Sequence, residues 1–521
     1  MVRTREIVLK VVFILFDSLN RLHISPYGGS KVPTPNFARL QKRSATFDSH
    51  YVGSMPCMPA RRDMHTGRLS FLHRSWGPLE PFDTSFAELL RNAGVYTHLV
   101  TDHYHYFEDG GSTYHNRYAS YEFFRGHEKD PWHAVVEPDW AELEPKWHPK
   151  QFTRDRSSKY YPYIINRERI REESDFPAMK TFAAGVDFLE RNASADNWLL
   201  QLETFSPHEP HHVPDRFKQA YRTGWNQGIR DWPPYDKVHE TQEEADELRA
   251  NYYASLAMCD ELLGRVLDAF DTQDLWKDTV LIVSTDHGYL LGEHDFWAKN
   301  RMTLYEEIAH VPLMVAHPKQ DVAGTRRNAL TQVIDLAPTF LDLFGLPPCA
   351  DMTGQSLLPV LAHDTPLRDA LLFGYFGGAI NATDGRYTYH CYPVDADKVE
   401  INQYTLMPMH LNCMFSVEEL KQTTLTREFS FSKGVPILKV PVTDRSPMYF
   451  NYGPGSLIEK ETRLYDLETD PKQQRPLSDV AAETKIRDRM LDLMRLNEAP
   501  PEAFERVGAR SAGQLASQPA E

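Results

Sequence analysis

Apolar runs and amphipathic stretches alternate along the first two-thirds of the chain. Five short apolar runs have the continuity of strands buried on both faces, namely Val8–Phe16, Thr97–Thr101, Trp198–Glu203, Val280–Thr285 and Pro312–Ala316. Four segments repeat apolar residues at helical spacing, namely Phe82–Ala93, Thr181–Arg191, Glu243–Phe270 and Leu336–Phe344. Alternating strands and helices are typical of an α/β domain, so we predict a large, mainly parallel sheet flanked by helices.

The pattern changes near residue 381, and we expect a smaller unit from there on. Arg386–Cys391 and Leu438–Val442 resemble strands, and a helical pattern follows over Ala481–Leu496. These elements predict an α+β subdomain with an antiparallel sheet. We therefore divide the chain into an α/β domain over 1–380, this subdomain over 381–499, and a flexible tail over 500–521 that is rich in Ala, Gly, Ser, Pro and Gln.

Residues 128–171 differ from the rest of the first domain. They hold Trp132, Trp140, Trp147, the run Tyr160-Tyr161-Pro162-Tyr163 and several prolines. Loops of this length are usually functional or disordered, and aromatic density disfavours disorder. We predict an inserted loop region that either lines a substrate pocket or forms an oligomer contact.

Charge and composition narrow the classes of function. The chain has 521 residues and a formal net charge of -16, which argues against nucleic-acid binding. Five widely spaced cysteines indicate a reducing compartment. Lys10 interrupts the N-terminal apolar run and Asp17 ends it, so we predict a buried strand instead of a signal peptide. No other segment is apolar enough to span a bilayer, and the expected location is the cytoplasm.

Three carboxylates, Asp17, Glu203 and Asp286, stand at or near the carboxyl ends of predicted parallel strands, where α/β sheets bind their ligands. Asp17 follows the first strand, and Asp286-His287-Gly288 follows Val280–Thr285. A carboxylate at a strand tip suits a hard metal ion, although Asp is also a good helix cap. Two such carboxylates in one sheet favour a metal site over two separate caps.

Four further polar residues are candidates for binding an anion near that edge. Lys299 follows the predicted metal ligands, and two prolines restrict the loop that carries His208. His103 and His105 stand at positions i and i+2, which face the same side of an extended segment. Each one taken alone is as readily explained as a surface or core residue.

The most specific signal is the run Cys57-Met58-Pro59-Ala60-Arg61, followed by Thr66-Gly67-Arg68. Its form, C-x-P-x-R and then T-G-R, resembles the segment in which sulfatases convert a cysteine into formylglycine. Further matching motifs occur in the family's order at Pro207–Pro214, Asp286–Gly288 with Lys299, Asp335–Thr339, Gly354–Pro359, and Tyr465–Leu467 with Asp470-Pro471. Over nearly its whole length the chain is similar to the sulfatase family of the alkaline-phosphatase superfamily.

The resemblance implies a mechanism and a set of roles. Cys57 would be oxidised by a formylglycine-generating maturation enzyme and hydrated to a gem-diol, which attacks sulfur and forms a covalent sulfo-enzyme. Loss of a proton from the second hydroxyl would then expel sulfate. The implied ligands of one divalent metal are Asp17, Cys57, Asp286 and His287. The implied catalytic residues are Cys57, Arg61, His105, His208 and Lys299, with His103 in substrate binding.

Three positions depart from the usual sulfatase pattern. Ser18 replaces a second aspartate, His287 replaces an asparagine, and His103 replaces the lysine of a K-x-H pair. The first two departures resemble the phosphonate monoester hydrolases, which use the same formylglycine. The loss of one carboxylate and the gain of an imidazole shift the site towards Mn²⁺ or another transition metal, although Ca²⁺ stays a candidate. With His103 in place of lysine, the cation of the pocket would depend on pH.

The leading hypothesis is a hydrolase of aryl, alkyl or sugar sulfate monoesters. The alternative is a phosphonate monoester or phosphodiester hydrolase with the same nucleophile. A binding protein on an inactive hydrolase scaffold is disfavoured, because Asp17, Asp286, Cys57 and Arg61 are all present. The expected partner is a small-molecule or glycan sulfate ester, with no nucleic acid and no membrane, and assembly into a homo-oligomer is left open.

Overall fold

A computed structural model describes residues 10–395, 400–447 and 449–509. In chain order its strands are β1 (Lys10–Asp17), β2 (Ala45–Phe47), β3 (His50–Tyr51), β4 (Ser54–Met55), β5 (Tyr96–Thr101), β6 (Ser120–Phe123), β7 (Trp198–Pro207), β8 (Thr279–Thr285), β9 (Leu290–Leu291), β10 (Trp297–Ala298), β11 (Leu313–Ala316), β12 (Arg326–Arg327), β13 (Thr331–Gln332), β14 (Leu371–Tyr375), β15 (Ile380–Thr383), β16 (Tyr387–Cys391), β17 (Asn402–Thr405), β18 (Thr424–Thr426), β19 (Ile437–Pro441) and β20 (Arg463–Asp466).

The α-helices between and after these strands are, in chain order, α1 (Pro35–Gln41), α2 (Cys57–Thr66), α3 (Phe86–Asn92), α4 (Trp140–Leu143), α5 (Tyr160–Arg167), α6 (Pro177–Asn192), α7 (Asp215–Gln219), α8 (Gln242–Thr272), α9 (Glu306–Ala309), α10 (Leu336–Leu343), α11 (Leu358–His363), α12 (Val417–Lys421), α13 (Tyr449–Tyr452), α14 (Val480–Leu496) and α15 (Pro501–Arg506). None of these helices is long and apolar enough to cross a membrane.

The central sheet has eight strands in the order β12-β2-β11-β8-β1-β7-β5-β6. β1 pairs in parallel with β7 and β8, and β5 pairs in parallel with β7 and β6. β11 runs antiparallel to β8 and β2. The predicted α/β fold with a large, mainly parallel sheet is thus confirmed. The predicted strand Val8–Phe16 begins at Lys10, and residues 8 and 9 lie outside the described ranges.

Side chains of β1 alternate between two apolar layers, as the two-residue period of a strand requires. Phe13 faces one layer, where its ring lies 5.2 Å from that of Phe340 in α10. Phe16 faces the other, where its ring stacks at 5.6 Å on Phe182 in α6. Every residue of β1 is buried, so the strand is covered on both faces and both neighbours fix its position.

A second sheet, in the order β20-β16-β15-β14-β4, is antiparallel except where β4 joins β14. The predicted antiparallel sheet is present, but it starts at Leu371, earlier than the expected boundary at 381. It also recruits Ser54 and Met55 of β4, which lie far upstream in the sequence. The two sheets are therefore joined through the segment that leads directly into α2.

The flexible tail predicted over 500–521 is wrong for its first part. Residues 501–506 form α15, and Phe504 and Val507 are buried against Ile486 and Met490 of α14. Their apolar side chains cover the open face of α14, which a composition rich in small residues did not reveal. Residues 510–521 lie outside the described ranges.

The insert over 128–171 is folded and contains α4 and α5. It has a small core of its own, in which Trp147, Tyr163 and Ile164 pack with Trp232 from a later loop. The ring of Tyr163 meets that of Trp232 edge-on at 5.4 Å. Contact with Trp232 therefore anchors the insert to the loop that follows β7.

We predict that Ile14→Ala lowers the free energy of unfolding by about 2–5 kcal/mol, because it leaves a cavity in a filled core. Ile14 is 0% exposed and lies between β7 and β8. The matched control is Val136→Ala, at a side chain 77% exposed, which should change stability by less than about 0.5 kcal/mol. Denaturant titration measures both, and equal midpoints for the two variants would contradict this account of the core.

Candidate active site

Cys57 is the first residue of α2 and follows β4 through Pro56. It is 1% exposed, and all ten residues of the helix are buried. The helix ends at Gly67, whose φ of 64° is in the left-handed region that favours glycine, and whose N–H donates to Asp63. Arg68 stacks its guanidinium over Phe431 at 3.7 Å. The T-G-R part of the motif thus ends and anchors the helix, while C-x-P-x-R carries the chemistry.

The predicted metal ligands Asp17, Cys57, Asp286 and His287 come together in one buried cluster. One ligand atom from each lies within 4.8 Å of all the others. The topology explains the grouping, because β1 and β8 are parallel neighbours and their carboxyl ends share one edge of the sheet. The Nε2 atom of His287 lies 3.3 Å from the Sγ atom of Cys57.

Arg61 stands one helical turn after Cys57 and turns to the same side. Its guanidinium donates to three carboxylates: Nη2 to Asp17 at 3.0 Å, Nη1 to Asp286 at 2.7 Å and Nε to Glu203 at 2.7 Å. It is 1% exposed, so burial strengthens these ion pairs. Arg61 also donates to the backbone oxygen of Cys57 at 2.9 Å, which couples the helix to the strand tips.

Glu203 is a site residue to which we assigned no role from sequence. It lies on β7, the other parallel neighbour of β1, and also accepts from the hydroxyl of Tyr106 at 2.9 Å. Its place near the end of a predicted strand, next to the two predicted strand-tip carboxylates, was the available signal. Glu203 holds the Nε side of Arg61 and leaves the other guanidinium nitrogens for the metal carboxylates.

Lys299 lies within the cluster, as predicted. Its Nζ donates to the hydroxyl of Ser18 at 2.8 Å and lies 3.5 Å from Sγ of Cys57 and 3.2 Å from Nε2 of His287. Ala298 and Asn300 on either side have φ values of 67° and 81°. Left-handed backbone at two non-glycine residues costs free energy, and such strain concentrates at functional sites.

His103 lies against the cluster, and His105 packs beside His103 on the side away from it. Nε2 of His103 is 3.4 Å from Asp17, and its ring stacks at 4.0 Å on Phe205. Nδ1 of His105 bonds Glu108 at 2.5 Å, and Nε2 lies 3.6 Å from Glu128. The predicted extended segment is wrong beyond His103, because a 3₁₀ turn begins at residue 104. The two rings are still neighbours, with centroids 5.1 Å apart.

His208 is buried at the end of β7, in the loop that two prolines restrict. Its ring meets that of Phe205 edge-on at 5.1 Å, and its Nδ1 faces the backbone oxygen of Glu209. Burial raises the pKa of Glu209, but His208 and Lys299 outweigh burial and lower it below its ordinary value. Glu209 is thus a buried anion beside the predicted sulfate-binding residues.

Burial and the neighbouring Asp17 raise the pKa of the Cys57 thiol well above its ordinary value. Burial also raises the pKa of Asp17, but His208, Lys299 and Arg61 outweigh burial and hold that pKa well below its usual range. Asp17 is therefore ionised at neutral pH, while Cys57 stays a thiol. A protonated thiol is a weak nucleophile, so the unmodified residue is poorly suited to attack.

Burial lowers the pKa of His287 to about 4, so its imidazole is neutral and free to bind a metal ion. Burial, with the charge of Arg61, also lowers the pKa of His103 well below 6.5. His103 is therefore neutral at neutral pH and adds no charge to the site. The structure does not support a cation at this position that is switched by pH.

The donor set fits one divalent metal ion. Asp17 and Asp286 offer carboxylate oxygens and His287 offers a neutral imidazole nitrogen, a mixture that suits Mn²⁺ and that Ca²⁺ also accepts in part. Ser18 donates its hydroxyl to Asp17 at 2.8 Å and its backbone N–H to Asp286 at 3.1 Å. These outer bonds orient both carboxylates towards the centre of the cluster.

The family model described as sulfatase matches residues 10–346. The chain belongs to the sulfatase family. A second model, for the C-terminal part of N-sulphoglucosamine sulphohydrolase, matches residues 292–426. An N-acetylglucosamine-6-O-sulfatase of Bacteroides thetaiotaomicron is 25% identical over 70% of this sulfatase and 74% of its own length. A choline-sulfatase of Rhizobium meliloti is 26% identical over 67% of this chain and 71% of its own length.

Solved structures share the fold along almost the entire length. A protein in complex with its substrate D-glucosamine-2-N,6-O-disulfate has a TM-score of 0.62 at 15% identity, covering 96% of this chain and 98% of its own. A phosphonate monoester hydrolase of Agrobacterium radiobacter has a TM-score of 0.62 at 18% identity, covering 94% and 96%. The protein is thus a hydrolase of the sulfatase family with the fold shared by these enzymes.

We predict that Arg61→Met destabilises the metal-free enzyme by about 3–5 kcal/mol, because it leaves three buried carboxylates without their shared cation. Arg39→Met is the matched control, since Arg39 also pairs with two carboxylates, Asp268 and Asp271, but at the surface. Its loss should cost about 0–1 kcal/mol. Chemical denaturation of both variants measures the difference, and similar losses would show that Arg61 is not a main support of the site.

Proposed function

We propose that this sulfatase hydrolyses sulfate monoesters with a formylglycine formed from Cys57. The observation that carries the proposal is the position of Cys57, whose Sγ lies among three metal donors and 3.5 Å from Nζ of Lys299. Family membership supports sulfate-ester hydrolysis, and the C-x-P-x-R motif supports the modification.

The electrostatics explain why the thiol itself would serve poorly. Its raised pKa keeps it protonated beside Asp17. Oxidation to an aldehyde and addition of water replace the thiol with two hydroxyls on one carbon. One of these can attack, and the other can later lose a proton and break the bond that the first has formed.

We assign the metal-binding role to Asp17, Asp286 and His287, which would hold one divalent ion, either Mn²⁺ or Ca²⁺. When bound, such an ion neutralises the sulfate oxygens and favours ionisation of a nearby hydroxyl. Arg61 keeps Asp17 and Asp286 aligned, donates to the backbone oxygen of Cys57, and would stabilise the hydrated side chain of residue 57. The remaining steps fall to the protein's own groups.

In the first step an oxygen of the hydrated residue 57 attacks sulfur while the bond from sulfur to the ester oxygen breaks. Lys299 and His208 bind the sulfate oxygens, and one of them donates the proton that the departing alcohol takes up. In the second step the group that protonated the alcohol takes the proton of the remaining hydroxyl, the C=O double bond re-forms, and the bond to the sulfated oxygen breaks. Sulfate departs, and the aldehyde is restored. We assign His103 and His105 to the lining of the sulfate pocket, as hydrogen-bonding groups for the substrate.

A phosphonate monoester or phosphodiester hydrolase is the second candidate. Ser18 and His287 favour it, because they stand where most sulfatases have carboxylate and amide ligands. An inactive binding role has no support at the site, where nucleophile, metal donors and cations are all assembled.

We predict that enzyme isolated with residue 57 converted hydrolyses 4-nitrophenyl sulfate faster than a phenyl phosphonate monoester. Cys57→Ala should lose essentially all activity on both, whereas Cys259→Ala, at another buried cysteine, should retain it. Peptide mass across residue 57 shows whether the thiol has become an aldehyde. A phosphonate rate far above the sulfate rate would establish the second candidate, and full activity with an unmodified thiol would refute the formylglycine mechanism.

We predict that a chelator removes activity and lowers the melting temperature, because the ion binds only the folded site. Adding back Mn²⁺ or Ca²⁺ should restore both. Asp286→Asn should abolish the metal-dependent rise in melting temperature, since it removes one carboxylate donor while keeping its shape. Calorimetry provides this readout without reference to turnover, and an unchanged rise in Asp286→Asn would remove that residue from the ligand set.

A further inference from the structure

The insert carries a lysine that the proposed mechanism does not use. Lys159 stands immediately before α5, and its side chain is half-buried. Its Nζ lies 4.6 Å from the ring centroid of Trp232, 5.2 Å from Tyr160 and 5.5 Å from Tyr235. Three aromatic rings therefore hold the ammonium by cation–π attraction.

Lys159 differs from several other cations around the insert. Arg167 pairs with Asp231, Arg230 pairs with Glu240 and Glu244, and Lys150 also pairs with Glu244. Within the described part of the chain, Lys159 forms no ion pair, and its contacts are the three aromatic rings. An aromatic ring has no lone-pair acceptor for the N–H groups of an ammonium. The three N–H donors of Lys159 therefore retain capacity for an anion.

The rings around Lys159 lie close to the catalytic cluster. Nζ of Lys299 lies 5.9 Å from the ring centroid of Tyr289. The loop that carries Trp232 and Tyr235 also contacts β10, because the N–H of Trp297 donates to the backbone oxygen of Asp236 at 2.9 Å. β10 leads directly into Lys299. Neighbouring backbone segments therefore hold the rings around Lys159 and the ammonium of Lys299.

The charges that act on Lys159 support its placement near the catalytic cluster. Burial lowers the pKa of Lys159, and the charges of Glu209 and Glu128 act in the opposite direction. Glu209 adjoins His208, and Glu128 lies 3.6 Å from Nε2 of His105. Both carboxylates therefore belong to the surroundings of the predicted sulfate-binding residues, and Lys159 is within their electrostatic reach.

We propose that Lys159 binds a second anionic group, a carboxylate or a further sulfate, on the leaving-group side of the substrate. The inference rests on the proposed function, since it concerns the part of the sulfate ester that departs. A half-buried ammonium held by three rings has lost much of its hydration and side-chain freedom, so it pairs with an anion at little further cost. The preferred substrates are then sulfate esters that carry another negative charge, such as acidic or multiply sulfated sugars.

The test uses metal-loaded enzyme with converted residue 57 and aryl sulfates that differ in one ring substituent. The substituent is a carboxylate, a sulfonate or a neutral carboxamide, each at the meta or para position. The carboxamide is nearly isosteric with the carboxylate, so the pair isolates the charge. The carboxylate and sulfonate arms show which kind of anion the site prefers.

Lys159→Met should lower kcat/KM for the anionic substrates by about 10- to 100-fold, the effect of losing one charge-assisted hydrogen bond. The carboxamide substrates should react at nearly the rate of the unaltered enzyme. Lys159→Arg should recover most of the loss, because it keeps the charge. Lys237→Met is the matched control, since Lys237 also lies over an aromatic ring, that of Phe296, but is exposed.

Equal losses on charged and neutral substrates would assign Lys159 a purely structural role and overturn the proposal. An unchanged ratio of anionic to neutral substrates in Lys159→Met would overturn it as well. Failure of the proposed function looks different, because the converted enzyme would then hydrolyse none of the aryl sulfates.

Discussion

The guanidinium of Arg61 joins three neighbouring strands of the sheet at the edge where the site lies. Asp17, Glu203 and Asp286 come from β1, β7 and β8, and each accepts a hydrogen bond from it. Three buried carboxylates on adjoining strands repel one another, and Arg61 with Lys299 supplies only two positive charges. The cluster therefore keeps one formal negative charge. A divalent ion at the same donors would change that to one positive charge, which suits a sulfate monoester.

The strand-tip residues were predictable because they follow from topology. Parallel strands covered on both faces have continuous apolar runs, and their carboxyl ends share one edge, so Asp17, Asp286 and His287 had to lie close together. The sequence placed Glu203 at the end of the predicted strand Trp198–Glu203, whereas β7 continues to Pro207. Its role depends on the ion pair with Arg61, which no local pattern of residues reveals. The burial of Phe504 depends on contacts with α14, and no local pattern carries that information.

His103 shows the limit of reasoning from residue type alone. An imidazole in place of a lysine suggested a cation that depends on pH. In the fold the ring stacks on Phe205 and faces Asp17, which also binds Arg61. Burial and the charge of Arg61 lower the pKa of His103, which keeps the ring neutral. Permanent positive charge at the site thus comes from Arg61 and Lys299, and His103 contributes an uncharged ring that packs on Phe205. The replacement lowers the positive charge that the pocket offers near the reacting sulfate.

The insert compensates for that loss at a different point of the pocket. Trp232 packs edge-on against Tyr163 in the core of the insert, and its ring lies 4.6 Å from Nζ of Lys159. The aromatic side chain that anchors the insert therefore also holds its free cation. A charge held in advance by a packed ring binds its partner with less loss of side-chain entropy than a mobile surface lysine. The aromatic residues of the insert thereby place a cation beside the leaving group. The fold of the insert then determines which sulfate esters are accepted.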